Sequence, residues 1–186
     1  MLYLIGGASR SGKSMISRRL LEEKGIPYLP LDAIVMGFAN GMPECGIHDK
    51  LFPNEIARRM WEFVKALCEN LIYLGKDYVV EGEAILPENA KDLLRAHENN
   101  MKACFLGYCE TTPEQKVREI KTHKLDLDDW LLKESDAYIS DHVANMIEHS
   151  KFLREECKTH AIPYFDVSQD FNPAINKVFC DLLNQR

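Results

Sequence analysis

Two rhythms of apolar residues alternate along the chain. Short and nearly unbroken runs, Leu2-Tyr3-Leu4-Ile5, Tyr78-Val79-Val80, Ala103-Cys104-Phe105-Leu106 and Ile162-Pro163-Tyr164-Phe165, have the length and β-branched or aromatic content of strands covered on both faces. A weaker extended segment, Gly25 to Asp32, carries two prolines and predicts an edge strand ending in an acid. Between these runs apolar residues recur at every third and fourth position. Ile16 and Leu20 mark one helix, Ile56, Met60, Phe63, Val64, Leu67 and Leu71 a second that opens at Pro53, and Val143, Met146, Ile147, Ser150 and Leu153 a later one. A short helix from Glu88 to Asn99 precedes the fourth strand. Thr112, Pro113 and Gln115 form a capping box for the next helix, and Asn172 with Pro173 cap a last one carrying Ile175, Val178, Phe179 and Leu182. Only between Ala33 and Phe52 does the rhythm dissolve, where Gly37, Gly41, Pro43 and Gly46 predict a long functional loop. Strands separated by helices imply an α/β fold: one parallel sheet of five strands, right-handed crossovers, helices on both faces and a ligand crevice at the carboxyl ends of the strands.

The first strand runs directly into Gly7-Ala8-Ser9-Arg10-Ser11-Gly12-Lys13-Ser14, a G-x-x-x-x-G-K-S pattern that opens a helix. Backbone N–H groups of such a loop converge on one anion, the glycines allow the backbone its unusual angles, and the helix N-terminus adds positive potential. Lys13 is expected to reach the outer phosphates of a nucleotide, and Ser14 to give its hydroxyl to a magnesium ion bridging them.

Groups acting on the terminal phosphate must come from neighbouring strand ends, because the crevice opens there. Asp32 and Glu81 fit, each as a proton acceptor, a metal contact through water or a substrate contact, and either can serve as the base. Glu83 lies on the turn beyond Glu81. Arg58 and Arg59 follow the long loop, where a guanidinium holds a carboxylate or phosphate bidentately if it is not simply a solvated face. Arg118, Lys121, His123 and Lys124 form a small basic group suited to a lid over the nucleotide, with Arg154 as a second source of that charge.

Composition excludes more than it selects. The 186 residues carry a formal net charge of −6 and no dense Lys/Arg run, so long nucleic acid is not the expected partner. The six cysteines lack C-x-x-C spacing and read as reduced core residues, no apolar stretch is long enough to span a bilayer, and a working strand at residue 2 leaves no room for a signal peptide. A cytoplasmic location is the expectation. Oligomeric state is not legible.

With the phosphate loop, the Asp32 strand end, Val79-Val80-Glu81-Gly82 and Asp166-Val167-Ser168 in place, the chain resembles the nucleoside-monophosphate-kinase-like group of small P-loop kinases, which includes shikimate, gluconate and nucleotide kinases. Val79 to Pro87 also looks like relatives near the two-phosphoglycerate kinases. The resemblance implies a three-layer fold with strand order 2-3-1-4-5 in a single domain spanning residues 1–186. Residues 33–60 would cover the phosphoryl acceptor, residues 118–135 would form the lid, and Ser168 would begin a loop against the adenine. Arg118 would then join the phosphate loop in holding ATP. Glu81-Gly82 stands where adenylate kinases have Asp-Gly, and the lid lacks their paired-arginine spacing; both count against a nucleoside monophosphate acceptor. The expectation is an ATP- and magnesium-dependent kinase acting on a hydroxyl or phosphate group of a small metabolite. Rival readings are a nucleotide-responsive binding protein with slow hydrolysis and a kinase of nucleic-acid ends.

Overall fold

The computed structural model describes residues 1–122 and 130–184. In chain order the elements are β1 Leu2–Gly7, α1 Lys13–Lys24, β2 Tyr28–Pro30, α2 Leu31–Gly41, α3 Pro53–Tyr73, β3 Tyr78–Gly82, α4 Pro87–Ala96, β4 Met101–Gly107, α5 Pro113–Thr122, α6 Asp136–His160, β5 Tyr164–Asp166 and α7 Phe171–Asn184. Short 3₁₀ turns at Pro43–Cys45 and Trp130–Lys133 lie between them.

The five strands form one sheet in the order β2-β3-β1-β4-β5, and every pairing is parallel. The sheet therefore opens at one edge, where Pro30, Gly82, Gly7, Gly107 and Asp166 end their strands. β1 shows why its run is apolar throughout. Successive side chains point to opposite faces, so Tyr3 and Ile5 enter a core with α1, α7 and part of α6, while Leu2 and Leu4 enter a second with α2, α3 and α4. Leu4 and Ile5 are both fully buried.

Thr112 and Gln115 cap α5 as the sequence predicts: the Gln115 N–H donates to Thr112 Oγ1 at 3.3 Å and the Thr112 N–H to Gln115 Oε1 at 3.1 Å. Two expectations need correction. The first part of the supposed loop from Ala33 to Phe52 is helical: α2 runs to Gly41, with Leu31 and Val35 buried and Ile34 and Phe38 packed against the same core. Glycine in a helix costs about 1 kcal/mol relative to alanine, and burial of this stripe outweighs it at Gly37 and Gly41. The Phe38 ring meets Phe63 of α3 edge-on at 5.4 Å and joins the two helices. At the other end, α7 already begins at Phe171, so Asn172 and Pro173 lie inside its first turn, where the missing proline N–H leaves no helical bond unmade.

Candidate active site

The loop between β1 and α1 is shaped by close approach of backbone to backbone. Gly7 has φ 143°, and a Cβ placed there would lie 2.2 Å from the Leu106 carbonyl oxygen, so no other residue fits. The Ala8 N–H donates to that same carbonyl at 3.0 Å, fastening the start of the loop to β4. Gly12, at φ 95°, precedes α1 without a side-chain cap, leaving the first amides of the helix for an incoming anion. Lys13 is only 5 % exposed and folds back, its Nζ donating to the Ala8 carbonyl at 2.8 Å. Ser11 is fully buried and its Oγ has no hydrogen-bond partner. Ser9 and Arg10 complete the turn, Arg10 with its backbone in the left-handed region at φ 60°.

A group of acids stands beside this loop. Parallel pairing sets Glu81 opposite Ile5 on one side and Pro30 on the other, so its side chain emerges next to the start of α1. There Ser14 Oγ donates to Glu81 Oε1 at 2.9 Å. Asp32 does not end the second strand as its sequence suggests. It lies exposed in the first turn of α2, and a Cβ on Gly82 would come within 3.6 Å of its Oδ1. Burial holds Glu81 above the usual carboxylate range, Lys13 and the Ser14 bond oppose the rise, and the charge of Asp32 adds to it. Glu83 is raised in the same way, by burial first, with Lys13 and a bond to Ser9 opposing and Asp32 and Glu81 reinforcing. Lys13, Asp32, Glu81 and Glu83 thus form one electrostatic unit at the carboxyl edge of the sheet.

A second region lies further along that edge. A cleft of about 430 Å³ is lined by Glu110, Thr111, Gln115, Arg118, Glu119, Thr122, Ser168 and Gln169, which brings together Arg118 and Ser168 from segments fifty residues apart. The Ser168 hydroxyl accepts from the Glu110 N–H at 2.8 Å, and Asp166 Oδ2 accepts from the Cys109 N–H at 2.9 Å, so the loops after β4 and β5 are tied to each other. Arg58 stands exposed on α3, while its neighbour Arg59 is held by Glu55 and the Gly46 carbonyl. Of the basic lid group, Lys121 pairs with Asp136 at 2.6 Å, and His123 and Lys124 lie outside the described residues. Arg154 is paired with Glu110 at 2.6 Å.

Solved structures share this fold across the chain. A gluconokinase from Sinorhizobium meliloti 1021 superposes with a TM-score of 0.55 and 18 % identity, covering 97 % of this chain and 90 % of its own. A shikimate kinase from Bacteroides thetaiotaomicron gives 0.53 and 16 % over 100 % and 99 % of the two chains, and one from Acinetobacter baumannii in complex with shikimate gives 0.54 and 16 % over 98 % and 92 %. The fold is that of small P-loop kinases. No protein-family model matches the sequence, and no curated protein matches it.

The donor set at the start of α1 would suit magnesium. The Ser14 hydroxyl and the Glu81 carboxylate are hard oxygen ligands 2.9 Å apart, and magnesium takes one or two such protein groups, keeping its remaining positions for phosphate and water. Among the described residues no group of three or more His, Cys, Asp or Glu side chains could hold a metal unaided. No described helix is long and apolar enough to cross a membrane.

One residue that the sequence reading passed over feels the charge of Lys13. His149 of α6 is 8 % exposed, its Nε2 has no hydrogen-bond partner, and burial and then the charge of Lys13 push its pKa down to about 4. The imidazole is therefore neutral through the physiological range. Its position one residue from buried Ser150, on a stripe of Met146 and Leu153, was the available signal that it points inward.

Proposed function

We propose that the protein is an ATP- and magnesium-dependent kinase that phosphorylates a hydroxyl group of a small molecule. The observation that carries this reading is the meeting of buried Lys13, the Ser14–Glu81 hydrogen bond and the Asp32 carboxylate at one strand edge. In the reaction a P–O bond forms between the acceptor oxygen and the γ-phosphorus, the bond to the β,γ-bridging oxygen breaks, and the acceptor proton leaves to a carboxylate. ADP, a phosphate monoester and a proton result. Magnesium, when bound, draws charge from the outer phosphates.

The chain's own residues divide the remaining work. Loop amides and Lys13 orient the β- and γ-phosphates, for which Lys13 must leave the Ala8 carbonyl. Ser14 and Glu81 would hold the metal. Asp32 is the base: it is exposed to an incoming hydroxyl, whereas Glu81 is 2 % exposed and already bonded to Ser14. Arg118 and Ser168 border the nucleotide base in the 430 Å³ cleft, with the lid closing from Arg118 onward. Arg58 and the segment from residue 33 to 60 cover the acceptor, and the free cysteines fit a cytoplasmic protein.

The test is transfer of label from [γ-³²P]ATP to a panel of small hydroxyl compounds. A phosphorylated product formed at about 1–100 per second, the usual kinase range, supports the reading. Hydrolysis that appears only with a protein partner, with no acceptor phosphorylated, overturns it in favour of a nucleotide-responsive switch.

A further inference from the structure

Two lysines are buried among the described residues, and phosphoryl transfer uses Lys13 while leaving Lys116 idle. Lys116 is 5 % exposed and is the fourth residue of α5, close to the positive end of that helix, where a cation is disfavoured. Lysine is almost never buried without a partner, and the partners here are thin. Its Nζ donates to Glu119 Oε2 at 3.1 Å, but the Glu119 side chain is itself 45 % exposed. Otherwise the ammonium lies over two aromatic rings, 4.5 Å from the centroid of Tyr108 and 5.7 Å from that of Phe171. Ring contacts and one half-exposed carboxylate are weak compensation for taking an ammonium out of water. A cation held in this way has capacity for an anion.

The surroundings of Lys116 say which anion. Phe171 opens α7 and packs on the phosphate loop: a Cβ placed on Gly12 would come 3.1 Å from its Cζ. Tyr108 follows the last residue of β4, close to Leu106, whose carbonyl fastens Ala8. On the other side, Gln115 and Glu119 line the cleft of about 430 Å³, as do Ser168 and Gln169 just before Phe171. The ammonium is therefore set where the phosphate loop and the cleft adjoin. A nucleotide with its outer phosphates on the loop and its base in the cleft lays its sugar and α-phosphate across that junction.

We infer that Lys116 is a nucleotide-binding residue, its ammonium exchanging Glu119 for the α-phosphate of a bound nucleoside triphosphate. This rests on the kinase reading and adds to it a contact that Lys13, which serves the β- and γ-phosphates, does not make. Glu119 is then a resting counter-ion, which satisfies the ammonium in the empty protein and is displaced when nucleotide enters. Such a lysine works against the stability of the empty fold. Replacing a poorly compensated buried ion by an apolar chain of similar volume is often neutral or stabilising, and methionine follows the path of the lysine between the two rings. Stability and affinity should move in opposite directions.

Calorimetry with magnesium and a non-hydrolysable ATP analogue, set beside thermal melts of the ligand-free protein, tests this on the full chain as wild type, Lys116→Met and Glu119→Gln. Lys116→Met should bind the analogue at least tenfold more weakly than wild type while its ligand-free Tm is equal or higher. Glu119→Gln, which removes the resting counter-ion, should bind the analogue at least twofold more tightly. Unchanged affinity in Lys116→Met overturns the inference and leaves the kinase reading standing. A Lys116→Met protein that both melts lower and binds more weakly also overturns it, because the lysine is then a strut of the fold. Should Lys116→Met fail to fold, Glu119→Gln decides, and binding that is unchanged or weaker there overturns the inference. A wild-type chain that takes up none of the analogue overturns the kinase reading, and this inference with it.

Discussion

The two halves of the site are built differently. The phosphate loop is backbone: one contiguous stretch, Gly7 to Ser14, held by main-chain contacts to β4 and by glycine conformations no other residue adopts cheaply. The region beside it is side chain: Asp32, Glu81 and Glu83 come from α2, β3 and the turn after β3, and feel one another's charge because the sheet order sets β3 between β2 and β1. A backbone cradle recognises what every nucleotide shares, whereas converging side chains can be exchanged one by one to change the acceptor. Damage to the first half should therefore abolish transfer for any acceptor. Damage to the second should reshape it.

The largest effect that separates the halves is expected from Lys13→Met. Loss of the cation on the moving phosphoryl group should lower turnover by about 10³-fold, or roughly 4 kcal/mol in the barrier. The fold should survive, because the methionine side chain fills a site that is already buried. Turnover near wild type in a folded Lys13→Met protein would show that the cradle is not the catalytic half. Gly7→Ala comes next, acting on stability. Its Cβ would meet the Leu106 carbonyl oxygen at 2.2 Å, so β1 and β4 must part, and a loss of about 2–4 kcal/mol is expected in denaturant titration. A loss under 0.5 kcal/mol would mean that the loop is not fastened to β4.

Glu81→Gln sits on the boundary between the halves. Replacing the carboxylate by an amide keeps the shape but removes the anionic group beside Ser14, so the magnesium concentration for half-maximal activity should rise about tenfold with a smaller change in the saturated rate. An unchanged magnesium requirement would remove Glu81 from the metal side and return it to contention as the base.

The same division explains what could be read from the sequence. The cradle was legible because its chemistry is local: eight consecutive residues carry the glycines, the lysine and the serine, and the apolar runs around them announce strand and helix. The five-strand order was reached through resemblance, since pairing is a long-range fact that periodicity does not encode. α2 was missed because Gly37 and Gly41 look like punctuation, although Leu31, Ile34, Val35 and Phe38 already carried the helical spacing. That error also misplaced Asp32, read as a strand end when it belongs to the helix that follows. His149 was passed over for a different reason: nothing in a helix of mixed polarity says which inward residue is left without a hydrogen-bond partner.

The smallest effect is expected at Glu83, beside the loop. Glu83 is held above the ordinary carboxylate value, by burial first and then by Asp32 and Glu81, against the opposing influence of Lys13 and Ser9. The folded protein therefore keeps a proton on this group that the unfolded chain has released. Stability from that proton is fully present below the unfolded value and is lost as pH rises through the folded one. Glu83→Gln, which cannot ionise, should match wild type in acid and exceed it at neutral pH by a few tenths to about 1 kcal/mol, up to roughly 2–4 °C in Tm. The sign matters more than the size, because thermal melts of the two proteins from pH 4 to 8 should diverge upward in pH. Curves that diverge toward acid instead would mean that Glu83 already has its cation within the fold.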